Sequence, residues 1–198
     1  ATVNANVYRC LDMTYDYVTR TMWISYVDGN GKGNIGKVNL ETGKITAAAA
    51  TSTYIMGIAC NKEGKLFGML PDGMLVTINT SNGRYAEVGR TGVSLQTNDG
   101  MLSYTAMTFD YNTGYLYWPV SVENSDETRT STLYLVDTAD ASLTSLGQIA
   151  NNYTLHAPYI PYTYDVDTYY TVNFVDYDGT ILSTQRVKEG ESAVAPED

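Results

Sequence analysis

The sequence predicts an all-β protein made of antiparallel four-stranded blade repeats, a partial or open β-propeller, with a β-hairpin at its C-terminal end. Three observations carry this. The stretch "MTYDYVTRTMW" at 13–23 returns as "MTFDYNTGYLYW" at 107–118, with Met13 and Met107 94 residues apart. Eighteen tyrosines and seventeen glycines stand against three phenylalanines, a balance that suits strands and tight turns. No window keeps a 3.6-residue apolar period long enough for an amphipathic helix.

The repeat can be followed along the chain. Met13-Thr14-Tyr15-Asp16 aligns with Met107-Thr108-Phe109-Asp110, and a weaker copy is Ile58-Ala59-Cys60-Asn61. Each copy reads as an innermost strand ending in a turn, followed by a second strand: "TMWISYV", "KLFGML" or "YLYWPVSV". A third strand and its turn recur as "GKVNLETGKI", "LVTINTSNGRY" and "LYLVDTADASL". There Asn39, Asn79 and Asp137 are placed to bond backbone amides further along the turn, and Gly43 and Gly83 to supply a positive φ. "KITAAAA", "RYAEVGRTG" and "SLTSLGQIA" complete the four. Four short strands per 40–50 residues is the spacing of propeller blades. The expected units are 11–50, 54–92 and 104–150, within a propeller-like region spanning 1–162.

Two flanking pieces are expected. The stretch 1–10, with alternating Val3, Ala5 and Val7, reads as a strand left over from a preceding blade. "YTLHAPYIPY" at 153–162 aligns with "YTAMTFDYNT" and begins a fourth innermost strand, whose Pro158 and Pro161 are tolerable at a sheet edge. Three blades do not close a ring, so the chain reads as a mature or excised piece. Its inner apolar positions Met13, Ile58 and Met107 are expected to face a gap. The N-terminal strand, the 153–160 segment or self-association through the open blade faces is expected to cover what is exposed.

Residues 163–198 differ in character. Residues 165–198 carry eight acids and two bases. "TVNFVDYDGTILSTQRV" is a strand, an Asp-Gly turn and a second strand. Tyr170, Val172, Phe174, Asp178, Gly179, Gln185, Val187, Gly190, Ala193 and Pro196 form a pattern that resembles the start of the Listeria–Bacteroides repeat, or internalin B-repeat. That resemblance implies a β-grasp-like module of bacterial surface and secreted proteins, hence an extracellular or cell-surface location. It covers about 29 residues and stops before the family's second half.

The net charge of −10 argues against nucleic acid and anionic membrane surfaces as partners. No apolar run is long enough to insert in a membrane as a helix. Cys10 and Cys60 fit neither a disulfide framework nor a zinc site by spacing; one bridge between them, or two buried thiols, both remain open.

The chemistry-bearing residues form no nucleophile–base pair, and no metal or cofactor is expected. His156, the one histidine, aligns with Met107 and would face the propeller axis. "DGNGKGNIGKVN" at 28–39 imitates an EF-hand loop but places Lys32 inside the cage and Asn39 at its last position, so it reads as a hairpin loop. Asp16, Asn61 and Asp110 read as turn caps. "VENSDETRTS" at 122–131 reads as a solvated hairpin excursion. Trp23 and Trp118, taken as equivalent positions, together with Tyr111 and Tyr115, are candidates for stacking on a sugar, although repeated aromatics also serve interblade packing.

The function expected on these grounds is non-catalytic binding or adhesion with an extracellular glycan or protein as ligand. The alternative is part of a propeller glycoside hydrolase or lyase.

Overall fold

The computed structural model describes residues 6–97, 99–151, 153, 155, 157–162 and 169–196. The chain divides into two compact units, Ala1–Tyr162 and Thr163–Asp198. Among the described residues there are strands and turns and no helix. The first unit holds three four-stranded antiparallel sheets, each in plain sequence order. Blade 1 is β1 (Val7–Asp16), β2 (Thr21–Asp28), β3 (Gly33–Val38) and β4 (Ile45–Ala50). Blade 2 is β5 (Gly57–Cys60), β6 (Leu66–Met69), β7 (Met74–Ile78) and β8 (Tyr85–Arg90). Blade 3 is β9 (Thr108–Phe109), β10 (Leu116–Glu123), β11 (Arg129–Val136) and β12 (Leu143–Asn151). First strands neighbour first strands, β1 against β5 and β5 against β9, so the sheets fan out from a shared axis as propeller blades do.

The turns follow from side chains that imitate a backbone acceptor. Asn39 Oδ1 accepts from the amides of Glu41 and Thr42, Asn79 Oδ1 from Ser81, and Asp137 Oδ1 from Ala139. The fifth residue of each turn has a positive φ: Gly43, Gly83 and, in blade 3, Ala141, which pays a steric cost glycine avoids. Asp16 and Asp110 cap the first turns through Val18 N and Asn112 N, and Asn61 does so through Glu63 N and Lys65 N. Asp28 closes the β2–β3 hairpin by accepting from Asn30 N and Lys32 N. The 122–131 stretch is less of an excursion than its composition suggests, because Glu123 already pairs with Arg129 across the ladder.

Each blade presents one face to the blade before it and one to the blade after, and the register decides which residue does which. Met13 pairs with Ile24 and Thr14 with Trp23, whereas Thr108 pairs with Tyr117. Trp23 therefore matches Tyr117, and Ile24 matches Trp118. The expectation that the two tryptophans are equivalent is off by one residue, and one residue on a strand reverses the face. Trp23 packs forward into the core shared by blades 1 and 2, with Ile58, Leu66 and Val76. Trp118 packs backward into the core shared by blades 2 and 3, with Ala59, Phe67 and Leu75. Trp118 is 0% exposed and its indole N–H donates to Thr105 Oγ1 at 2.7 Å.

The same logic corrects the inner positions. Ile58 does not face a gap but is buried against the preceding blade, and Met107, though buried against blade 2, also borders an open cavity at the axis. Met13 occupies the matching place in blade 1, where no described sheet precedes it, and is 52% exposed. The N-terminal stretch is corrected as well. Val7–Cys10 is not the remnant of another blade but continues β1, carried past two bulges to pair with Tyr26–Asp28; the other residues of that expectation, 1–5, lie outside the described residues. Cys10 and Cys60 are both free, and Cys10 is exposed rather than buried.

Blade-to-blade contacts are polar at the axis and close-packed further out. The amide of Ile58 donates to Asp12 Oδ2 (2.8 Å) and that of Cys60 to Thr14 Oγ1 (3.1 Å), so side chains of β1 satisfy the free edge of β5. Ser25 Oγ donates to Ile55 O, tying β2 to the lead-in of β5. Blade 3 treats the segment after it the same way: Ser131 Oγ donates to Tyr153 O at 2.6 Å, and Leu155 N donates to Ser121 Oγ. The segment after Tyr153 thus takes the place of a following lead-in, though its described residues form no strand. Blade 1's outer face, with Ile24, Tyr26 and Ile45, is buried too.

The second unit is a hairpin of β13 (Tyr169–Val175) and β14 (Ile181–Lys188). Its turn is closed by Asp176 and Thr180, with Gly179 at φ 86°. The chain then returns along β14, where the Gln185 side chain exchanges two hydrogen bonds with the backbone of Val194.

Candidate functional site

The inner strands run from one mouth of the axis to the other, and the turns at their far ends carry aromatic residues. Tyr17 and Tyr111 both follow the capping aspartate of the repeat, so the repeat itself puts them at matching turns of blades 1 and 3. Their rings meet edge to face, with centroids 5.1 Å apart. Tyr15 stands 4.9 Å from Tyr17, and Tyr162 lies 5.0 Å from Tyr111 and 5.7 Å from Tyr17. The segment 158–162 thus crosses the mouth and touches blades 1 and 3 together. With Met13, Met107 and Tyr159 these residues enclose a cavity of about 440 Å³, with no charged side chain among the described residues that line it.

The Tyr111 hydroxyl is anchored, and burial favours the neutral forms of Tyr111, Tyr17 and Cys60. Tyr111 Oη donates to Cys60 O at 2.6 Å, with Tyr15 O at 3.3 Å. Burial, then neighbouring Cys60 and Tyr17, push the Tyr111 phenol well above its ordinary range. Burial raises Tyr17 as well. The Cys60 thiol is pushed up to about 12, by burial first and then by the Asp16 carboxylate it bonds. None of these groups ionises readily near neutral pH, which suits ring-face and hydroxyl contacts better than nucleophilic attack.

Asp12 is the exception at the axis. Besides Ile58 N it accepts from Met13 N (2.8 Å), and the Met107 backbone also stabilises its anion. Burial outweighs these bonds and pushes its carboxyl up to about 7. Asp12 links all three inner strands and does not line the aromatic cavity.

No family model and no curated protein matches the chain. Among solved structures, it is similar to hydrazine synthase of Kuenenia stuttgartiensis, at 13% identity and a TM-score of 0.47 over 96% of this chain and 52% of that one. It is also similar to the PQQ-bound aldose sugar dehydrogenase of Streptomyces coelicolor (18% identity, TM-score 0.37, 51% of this chain and 32% of that one). A third is the C-terminal WD40 domain of Sif2, at 9% identity and a TM-score of 0.35 over 92% of this chain and 74% of that one. The chain spans about half the length of the first of these. The blade assignment stands on strand order and on the contacts between inner strands.

Of the residues singled out from sequence, Tyr111 lines the cavity. Tyr115 sits exposed beyond it, on the blade 3 turn. Trp23, 6% exposed with Lys37 Nζ 5.0 Å from its ring, and Trp118, 0% exposed, are core residues. His156 lies outside the described residues. Sequence reasoning passed over Asp12, Tyr159 and Tyr162. A legible signal existed for Tyr17 as Tyr111's repeat partner; none existed for Tyr159 and Tyr162, which arrive from outside the repeat.

Proposed function

We propose that this chain is a non-catalytic binding module of a secreted or surface-anchored bacterial protein, taking a neutral glycan in the tyrosine-lined cavity. One observation carries the reading: tyrosines of blade 1, blade 3 and the 158–162 segment converge on one cavity whose described lining is uncharged, and burial favours the neutral phenols of Tyr17 and Tyr111. Flat rings and hydroxyls are what a pyranose face recognises. The surface setting is supported by the resemblance of 170–196 to bacterial surface repeats, whose Asp-Gly hairpin the second unit forms. No helix among the described residues is long and apolar enough to cross a membrane.

The alternative, a propeller hydrolase or lyase, draws on Asp12, since a carboxyl titrating near 7 at a propeller axis is a suitable general acid or base. Its oxygens are already engaged by backbone amides and it does not line the cavity, which favours binding. A glycan array followed by calorimetry tests the proposal. Tyr17→Ala and Tyr159→Ala should each weaken the retained glycan by about tenfold, roughly 1.4 kcal/mol. An array that retains nothing, or variants that bind like the parent, would refute it, and glycan turnover lost in Asp12→Asn would establish the enzyme instead.

A further inference from the structure

The axis has a second mouth of different chemistry. There the inner strands begin, each preceded or opened by a tyrosine: Tyr8 on β1, Tyr54 before β5, Tyr104 before β9. From Arg9 to Tyr15 is six strand residues, about 20 Å, so this mouth is separate from the aromatic cavity. A cavity of about 140 Å³ opens here, lined by Tyr8, Arg9, Leu11, Tyr54 and Met56 among others. Among the described residues, Arg9 is its only charged lining residue. The guanidinium carbon lies 5.9 Å from the Tyr8 ring centroid and 5.8 Å from that of Tyr104, two contacts that fix the fork without neutralising it. Among the described residues no carboxylate forms an ion pair with Arg9, whereas Arg90 pairs with Asp72 at 2.7 Å. Tyr54 is held by donating its hydroxyl to Gly31 O at 2.9 Å.

We propose that this mouth is a second binding site, for the carboxylate of an acidic sugar such as a uronic acid. In a chain of net charge −10, an accessible guanidinium with no ion-pair partner among the described residues is a specific attraction for an anion rather than part of a basic field. Its planar fork matches a carboxylate bidentately. Tyr8 and Tyr54 line the same cavity beside the guanidinium, so the space fits one charged ring. A phosphate polymer would need several cations in a row, and the lining supplies one.

The test titrates the 198-residue chain with methyl glucuronide and with methyl glucoside, its uncharged match, by protein-observed NMR. The glucuronide should perturb Tyr8, Arg9 and Tyr54 and the glucoside should not. Arg9→Gln should weaken the glucuronide at least tenfold, Arg9→Lys should fall between, and raised ionic strength should weaken the parent. Arg9 is exposed, so melting temperatures should stay at the parent value. If Arg9→Gln nevertheless unfolds, the ionic-strength and glucoside arms on the parent decide. No glucuronide response at these residues, or an undiminished one in folded Arg9→Gln, overturns the site. Equal binding of acetate overturns its assignment to a sugar. Tyr17→Ala should leave glucuronide binding intact, which separates this site from the tyrosine cavity.

Discussion

Replacing Trp118 by alanine should bring the first unit close to unfolding. The indole is fully buried between blades 2 and 3, against Ala59, Phe67 and Leu75. Truncating such a ring costs about 3–5 kcal/mol in lost transfer energy and residual cavity. Thr105, itself buried, loses the N–H that points at its hydroxyl, adding about 1 kcal/mol. The sum, about 4–6 kcal/mol, rivals the whole stability of a typical domain, about 5–15 kcal/mol. With a urea slope of roughly 2 kcal/mol/M the midpoint should fall by about 2 M or more. Trp118→Phe keeps a ring in the core and loses the hydrogen bond, so it should cost about 1–2 kcal/mol. Trp23→Ala should add independently to either, because Trp23 lies in a different interblade core. Equilibrium urea unfolding followed by circular dichroism reads all of these. If Trp118→Ala melts within about 1 kcal/mol of the parent, the backward-facing register of Trp118 is wrong.

Other consequences are as specific. Asp12 binds its proton more tightly folded (about 7) than in its ordinary range, so its contribution to stability should fall as pH rises from about 4 to 7 and level off above that; Asp12→Asn should remove this slope, and parent and variant curves of equal slope would contradict the burial argument. A Cβ on Gly89 would lie 2.0 Å from Asp140 O of blade 3, so Gly89→Ala should lower stability by about 2 kcal/mol or more, while Gly29→Ala, with open space around it, should leave thermal unfolding nearly unchanged. Tyr111→Phe removes the bond to Cys60 O at a cost of about 1 kcal/mol, measurable by the same unfolding, yet should leave glycan affinity intact if the ring face does the binding.

The blades were legible because their turns are written in side chains that act locally. Asn39, Asn79 and Asp137 bond amides two or three residues away, so no tertiary knowledge was needed to place them. Face assignment was harder. Pairing Trp23 with Trp118 slips the repeat by one residue, whereas its ungapped offset of 94 matches Trp23 with Tyr117. The aromatic cavity was half legible: Tyr17 and Tyr111 share a repeat position, whereas Tyr159 and Tyr162 reach them from a segment without strand pairing. Arg9 was out of reach, because its significance lies in Tyr104 standing beside it, 95 residues away.

The cavity's location follows from what the repeat demands of its members. Met13, Ile58 and Met107 hold one repeat position, as do Tyr15, Cys60 and Phe109. In blades 2 and 3 those side chains are buried in the core, with Cys60, Met107 and Phe109 also forming the packed wall of the cavity, so replacing any of them opens a void between sheets. In blade 1 the same positions have no described sheet before them, and Met13 and Tyr15 are left partly exposed. The segment 158–162 covers them only in part, and it brings rings rather than a ladder. Residues there can therefore change with little loss of interblade packing, whereas their counterparts cannot. The place where the repeat stops needing its own side chains is where this protein has room for a ligand.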